Sequence, residues 1–164
     1  MPAPPIVAVQ FVFAFTAYGL AAKWYIAPKL AGRPLRATLP PLLLVHLVRP
    51  ISLWLLAPGI IVLPTIPRGF AEGTAYGDLV SAVLALVAAV LVRNERPGAL
   101  AAAWFFNAVG TLDALRNVVV GVRTGAPEHM GAAVLVPAYG VPLLLVSHML
   151  IFYVLSQHRR ERAT

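Results

Sequence analysis

The sequence predicts an all-α fold: one integral membrane domain over residues 1–164, a polytopic bundle of five transmembrane helices with the N-terminus outside and the C-terminus in the cytoplasm. Three observations predict it. The chain is 60% hydrophobic and only 12% charged, whereas soluble domains carry roughly 25% charged residues. Five apolar segments approach the ~20 residues that cross a hydrocarbon core. The basic residues of the connections lie overwhelmingly on one side of those segments, as cytoplasmic loops require.

The segments run at roughly 5–27, 39–63, 75–92, 98–121 and 132–156. The first lacks the basic flank of a signal peptide and reads as a retained helix. The third is shortest and the fourth most polar, but neither can lie irregularly against lipid, because its amides would go unpaired. Lys29, Arg33, Arg36, Arg93, Arg96, Arg159, Arg160 and Arg162 fall on one side, against Arg68 and Arg123 on the other. This orientation places Trp24, Tyr25 and Tyr153 near the inner interface and Tyr76 near the outer one, as in an aromatic belt. The lipid bilayer is therefore the first partner, and the cytoplasmic (inner) membrane of a prokaryote the expected location. The net charge of +7 is accounted for by orientation, so nucleic acid is not expected as a partner.

Segments three and four are joined by the short turn 93–98 and should form an antiparallel hairpin. Ser81, Ala85 and Ala89 share one helix face; Ala99, Ala103 and Gly110 supply small residues opposite. Small side chains let helix backbones approach closely in lipid.

No cysteine occurs, which excludes disulfides, thiolate metal sites and cysteine nucleophiles. No HExxH, Walker, GxGxxG or GxSxG motif is present. Chemistry must then come from the few polar side chains inside the spans, each costing about 2.5–3.5 kcal/mol at a helix centre when charged. At ~1.5 Å per residue from the inner helix ends, His46 lies roughly 10 Å deep, His148 roughly 12 Å, Asn107 roughly 13 Å and Arg49 roughly 15 Å. These four form one layer and are the candidate ligand-binding residues. Asp78, Asp113, Arg116 and Asn117 form a second layer nearer the outer face.

His46 and Arg49 are three apart and share a helix face, and Pro50 cannot donate to the carbonyl of His46, so a kink with a free carbonyl is expected there. Pro137 and Pro142 should loosen the outer half of segment five. Asp113 and Arg116, also three apart, are expected to neutralise each other locally. Asp78 is expected near a helix N-terminus, where an acidic residue complements the macrodipole. His129 with Glu128 makes at most a two-ligand loop site, and His158 belongs to the basic inner flank.

Three functions fit this pattern. The first is binding of a small hydrophobic ligand or cofactor in a pocket lined by His46, Arg49, Asn107 and His148, with Arg49 holding an anionic group. A b-type haem fits formally, with His46 and His148 as metal ligands, and a quinone-like or lipid-like molecule fits as well. The second is transport of a small solute or proton through Asp113, Arg49 and the histidine pair, which would require a homo-oligomer to build a transport unit. The third is a membrane enzyme acting on a lipid-like substrate, with a histidine as acid or base.

Overall fold

A computed structural model describes residues 6–58 and 67–161, and every regular element among them is helical. Helix α1 covers Ile6–Leu30, α2 Leu35–Leu56, α3 Arg68–Arg93 and α4 Ala99–Thr124. Helix α5 runs from Gly131 to Glu161, after a short 3-10 turn at Ala126–His129. Helices α1, α2, α3 and the Gly131–Arg159 stretch of α5 are long and apolar enough to cross a membrane. The chain is thus an integral membrane protein. Helix α4 matches α3 in length but carries Asn107, Asp113, Arg116 and Asn117.

The boundaries differ from the apolar segments for local reasons. Helix α3 starts at Arg68, well before the expected residue 75, because Arg68 and Glu72 pair one turn apart at 2.8 Å and bring a polar first turn into the helix. Asp78 consequently sits roughly three turns inside α3, and the expected role at a helix N-terminus is wrong. The far end of the second segment, residues 59–63, and Arg162 lie outside the described residues.

Helix α3 is the centre of the bundle, packing against α2 on one side and α4 on the other, while α5 packs on α1, α2 and α4. The half of the bundle towards the 93–98 turn holds the larger apolar core, with Leu39 and Leu43 of α2, Ala85 and Ala88 of α3, Phe106 of α4, and Ile151 and Leu155 of α5 buried together. Ser81, Ala85 and Ala89 are all buried. Ala89 also edges a groove with Pro40 and Leu44, so this small face serves α2 as well as α4. Helix α1 buries only Ala14 in its α-helical part, and its apolar flank is left to lipid.

Besides a π turn at Ala22–Ile26 of α1, stretches of α2 and α5 that contain proline depart from α-helix. Helix α2 is α-helical over Leu35–Leu44 and then winds as a 3-10 helix over Val45–Leu56, far longer than the usual three or four residues. A 3-10 turn has 3.0 residues, so every third side chain falls on one line. The buried residues obey this rule: His46, Arg49, Ser52 and Leu55. The winding also revises the expected free carbonyl. In 3-10 pairing His46 is served by the amide of Arg49, and the missing N–H of Pro50 falls on Leu47. On α5, Pro137 opens a π turn over Val136–Gly140 before the α-helical part Val141–Glu161, and Ala138 of that turn is buried where it meets α1.

Candidate functional site

The 3-10 stripe of α2 carries Arg49 into the middle of the bundle, where its side chain is fully buried. Its Nε donates to Asp78 Oδ1 at 2.8 Å. Nη2 contacts the same Asp78 oxygen at 2.8 Å and donates to Asp113 Oδ2 at 2.5 Å. Nη1 donates to the backbone carbonyl of Gly110 at 3.2 Å and faces His148 Nε2 at 3.3 Å. A guanidinium has five N–H groups; four of them make these hydrogen bonds, and Nη2 adds the ion-pair contact with Asp78. Three helices therefore converge on one side chain from α2.

The same contacts define His148. Arginine can only donate, so Nε2 of His148 accepts. The proton then resides on Nδ1, which donates to Asn107 Oδ1 at 2.7 Å, while Asn107 Nδ2 returns a bond to the His148 carbonyl at 3.2 Å. Asn107 and His148 thus form a reciprocal α4–α5 pair. His46 stacks beneath them, its ring centroid 4.2 Å from that of His148 and 4.9 Å from Phe106. Both nitrogens of His46 are buried without a hydrogen-bond partner. A further α2–α5 tie joins Ser147 Oγ to the carbonyl of Leu42 at 3.2 Å.

The structure brings His46, Arg49, Asn107 and His148 into one cluster, together with Asp78 and Asp113. It is a packed cluster rather than a pocket, and the two expected polar layers merge at Arg49. Arg116 stands apart: it is exposed, and its Nη1 donates to Asn117 Oδ1 at 3.0 Å. The expected local pairing of Asp113 with Arg116 is replaced by pairing with Arg49. Asn117 bridges this edge, accepting from Thr74 Oγ1 at 3.2 Å and lying 3.5 Å from Asp113 Oδ2.

Glycines make the convergence possible. A Cβ on Gly110 would come within 2.8 Å of His148 Cε1, and one on Gly77 would collide with Asp113 Oδ1. Gly73 and Gly77, four apart on α3, are the small-residue signal for α3–α4 approach that points most directly at the site.

On the side of Arg49 towards the Ala126–His129 turn lies a cavity of about 120 Å³. Arg49, Ser52, Thr74, Asp78 and Asn117 make its polar end, and Leu55, Phe70, Met130 and Leu144 line its walls. Val48, Ile51 and Leu143, all exposed, lie along its edge, so it opens sideways between α2 and α5. Ser52 is only 4% exposed and its Oγ has no partner. His46, Asn107 and His148 do not line the cavity; they lie on the opposite side of Arg49.

Haem ligation by the two histidines does not fit this arrangement. An imidazole nitrogen binds a transition metal at about 2.0–2.1 Å, which holds two rings on one ion more than about 5 Å apart. The rings here are 4.2 Å apart, and both nitrogens of His148 are engaged. No group of three or more metal-ligating side chains occurs among the described residues, and His129 and Glu128 fall in the short turn at Ala126–His129, away from the cluster.

The chain belongs to a family described as a domain of unknown function (DUF8737), whose model matches residues 6–156 and so takes in every residue of the cluster and the cavity. No curated protein and no solved structure matches the chain.

Proposed function

We propose that the protein spans the cytoplasmic membrane with all five helices, N-terminus outside and C-terminus inside, and binds a small, mostly apolar molecule in the cavity between α2, α3, α4 and α5. The single observation that carries the binding reading is the unpartnered, buried Ser52 hydroxyl at the polar end of an otherwise apolar cavity. An unpaired buried hydroxyl costs on the order of 1–3 kcal/mol, which a hydrogen-bonding ligand would recover. An engineered cavity of about 150 Å³ accommodates benzene, so the occupant's body is about one ring in size. The sideways opening suits a molecule arriving from the bilayer.

Filling the cavity tests this. Ala133 lines it and is buried. Small molecules released on denaturing the purified wild-type protein should include a compound missing from Ala133→Phe. Identical release from the two proteins would count against ligand binding.

The orientation rests on the basic residues and predicts that reporters fused within the 30–35 connection and at the C-terminus report cytoplasmic exposure, while a fusion at 125–130 reports the outside. Opposite readouts at residues 30–35 and at the C-terminus would reject the five-span topology.

Transport is a second reading, favoured by the unbroken polar column from Asn117 through Asp113 and Arg49 to His148 and Asn107. It would require the Arg49 ion pairs to open during a cycle and a homo-oligomer to complete the pathway.

A further inference from the structure

We propose that the occupant of the cavity is a cation, a small lipophilic amine carrying an ammonium group, held against Asp78. This inference rests on the binding reading and deepens it by naming the ligand's charge. Its warrant is a count of charges and of donors.

Arg49 is the expected anchor for an anionic ligand, but its guanidinium is already engaged by Asp78, Asp113, Gly110 and His148. An arriving anion would have to displace these partners and would meet two carboxylates beside them. The carboxylates outnumber the guanidinium two to one. His148 adds no charge, because one nitrogen donates and the other accepts. Arg116, the remaining cation near Asp113, is turned to Asn117 with its guanidinium against Gly73, so its charge serves Asp113. Arg49 is thus shared between two carboxylates, and Asp78, the one away from Arg116, has no cation of its own, which is costly for a buried carboxylate.

Asp78 pairs with Arg49 and also lines the cavity. Asp78 gives the single atom Oδ1 to both Arg49 nitrogens, and its Oδ2 takes no partner among the described residues. Asp78 lines the same cavity end as Ser52 and Thr74. An ammonium has three donors and no acceptor. Asp78 Oδ2, Ser52 Oγ and Thr74 Oγ1 offer three acceptors, and the apolar walls suit a hydrocarbon body.

Three probes of one shape separate the possibilities: benzylamine, benzyl alcohol and benzoate at neutral pH, titrated against the full-length protein in nanodiscs. Only binding that Ala133→Phe abolishes is counted. Benzylamine should bind about tenfold or more tighter than benzyl alcohol, as expected for a charge-assisted bond over a neutral one, and benzoate should not bind. Asp78→Asn should abolish the preference, so that benzylamine binds the variant no tighter than benzyl alcohol does. If benzyl alcohol binds as tightly as benzylamine, a proton already neutralises the cluster; the inference then fails while ligand binding stands. Benzoate binding as well as the amine would overturn it too. If no probe binds in a cavity-dependent way, the binding reading fails and this inference with it. The ranking in the wild-type protein decides the matter even if Asp78→Asn does not fold.

Discussion

Replacing Arg49 by methionine is expected to destabilise the protein by about 3–5 kcal/mol, the cost of breaking a buried ion pair from one side only. The variant leaves Asp78 and Asp113 as unpaired buried acids and removes the donors to the Gly110 carbonyl and His148 Nε2. Most of that loss belongs to the stranded partners rather than to the attraction itself. The triple variant Arg49→Met, Asp78→Asn, Asp113→Asn should therefore recover most of the stability, since replacing a whole buried ionic cluster by neutral groups is often tolerated. Arg116→Met, by contrast, removes an exposed cation and should cost less than about 1 kcal/mol. Reversible unfolding in mixed micelles measures all three. A loss in Arg49→Met no larger than in Arg116→Met would show that Arg49 is not the hub of the bundle.

Gly110→Ala is expected to cost about 1–3 kcal/mol through overpacking, because the new methyl would lie 2.8 Å from His148 Cε1 and 3.1 Å from its Nε2. The imidazole cannot yield freely: it is held by Asn107 on one side and Arg49 on the other. The methyl must push α5 away or break the Arg49 contact, and either way His148 loses the acceptor role that fixes its tautomer. The ¹⁵N shifts of the His148 ring should therefore move along with the stability. Gly69→Ala is the matched control. It also lies in a helix, nothing stands within 4 Å of its new methyl, and alanine favours helix over glycine by about 0.5–1 kcal/mol. Equal destabilisation by the two substitutions would remove close α4–α5 approach as the explanation.

Much of the architecture is legible in the sequence because lipid leaves few options: apolar runs of spanning length must be helical. The meeting of His46 with His148 is legible from depth alone, since α2 and α5 contribute them at similar distances from the inner ends. The pairing pattern is less so. Asp113 and Arg116 look like neighbours on one helix, but a longer reach across α3 joins Asp113 to Arg49, and no rule of i,i+3 spacing anticipates a partner 64 residues away. Asp78 is misplaced by sequence reading because the polar turn beginning at Arg68 resembles a loop until Arg68 and Glu72 are seen to pair. The signal that was there to read is Gly73-x-x-x-Gly77, which announces that α4 approaches α3 beside Asp78. The cavity has no such signal. It arises where the π turn of α5 and the 3-10 half of α2 face each other, and neither winding can be read from apolar periodicity.

The 3-10 winding of α2 also solves a problem of unequal chain lengths. Helices α3 and α4 have 26 residues each and reach about 39 Å at 1.5 Å per residue. Helix α2 has only 22, which as uniform α-helix would end about 6 Å short of them. Its 12 residues of 3-10 helix rise about 2.0 Å each, so that α2 too extends about 39 Å. A thinner, stretched rod thus keeps pace with two thicker ones while using four fewer residues, and it does so in the half of the membrane where its narrow girth leaves room beside it.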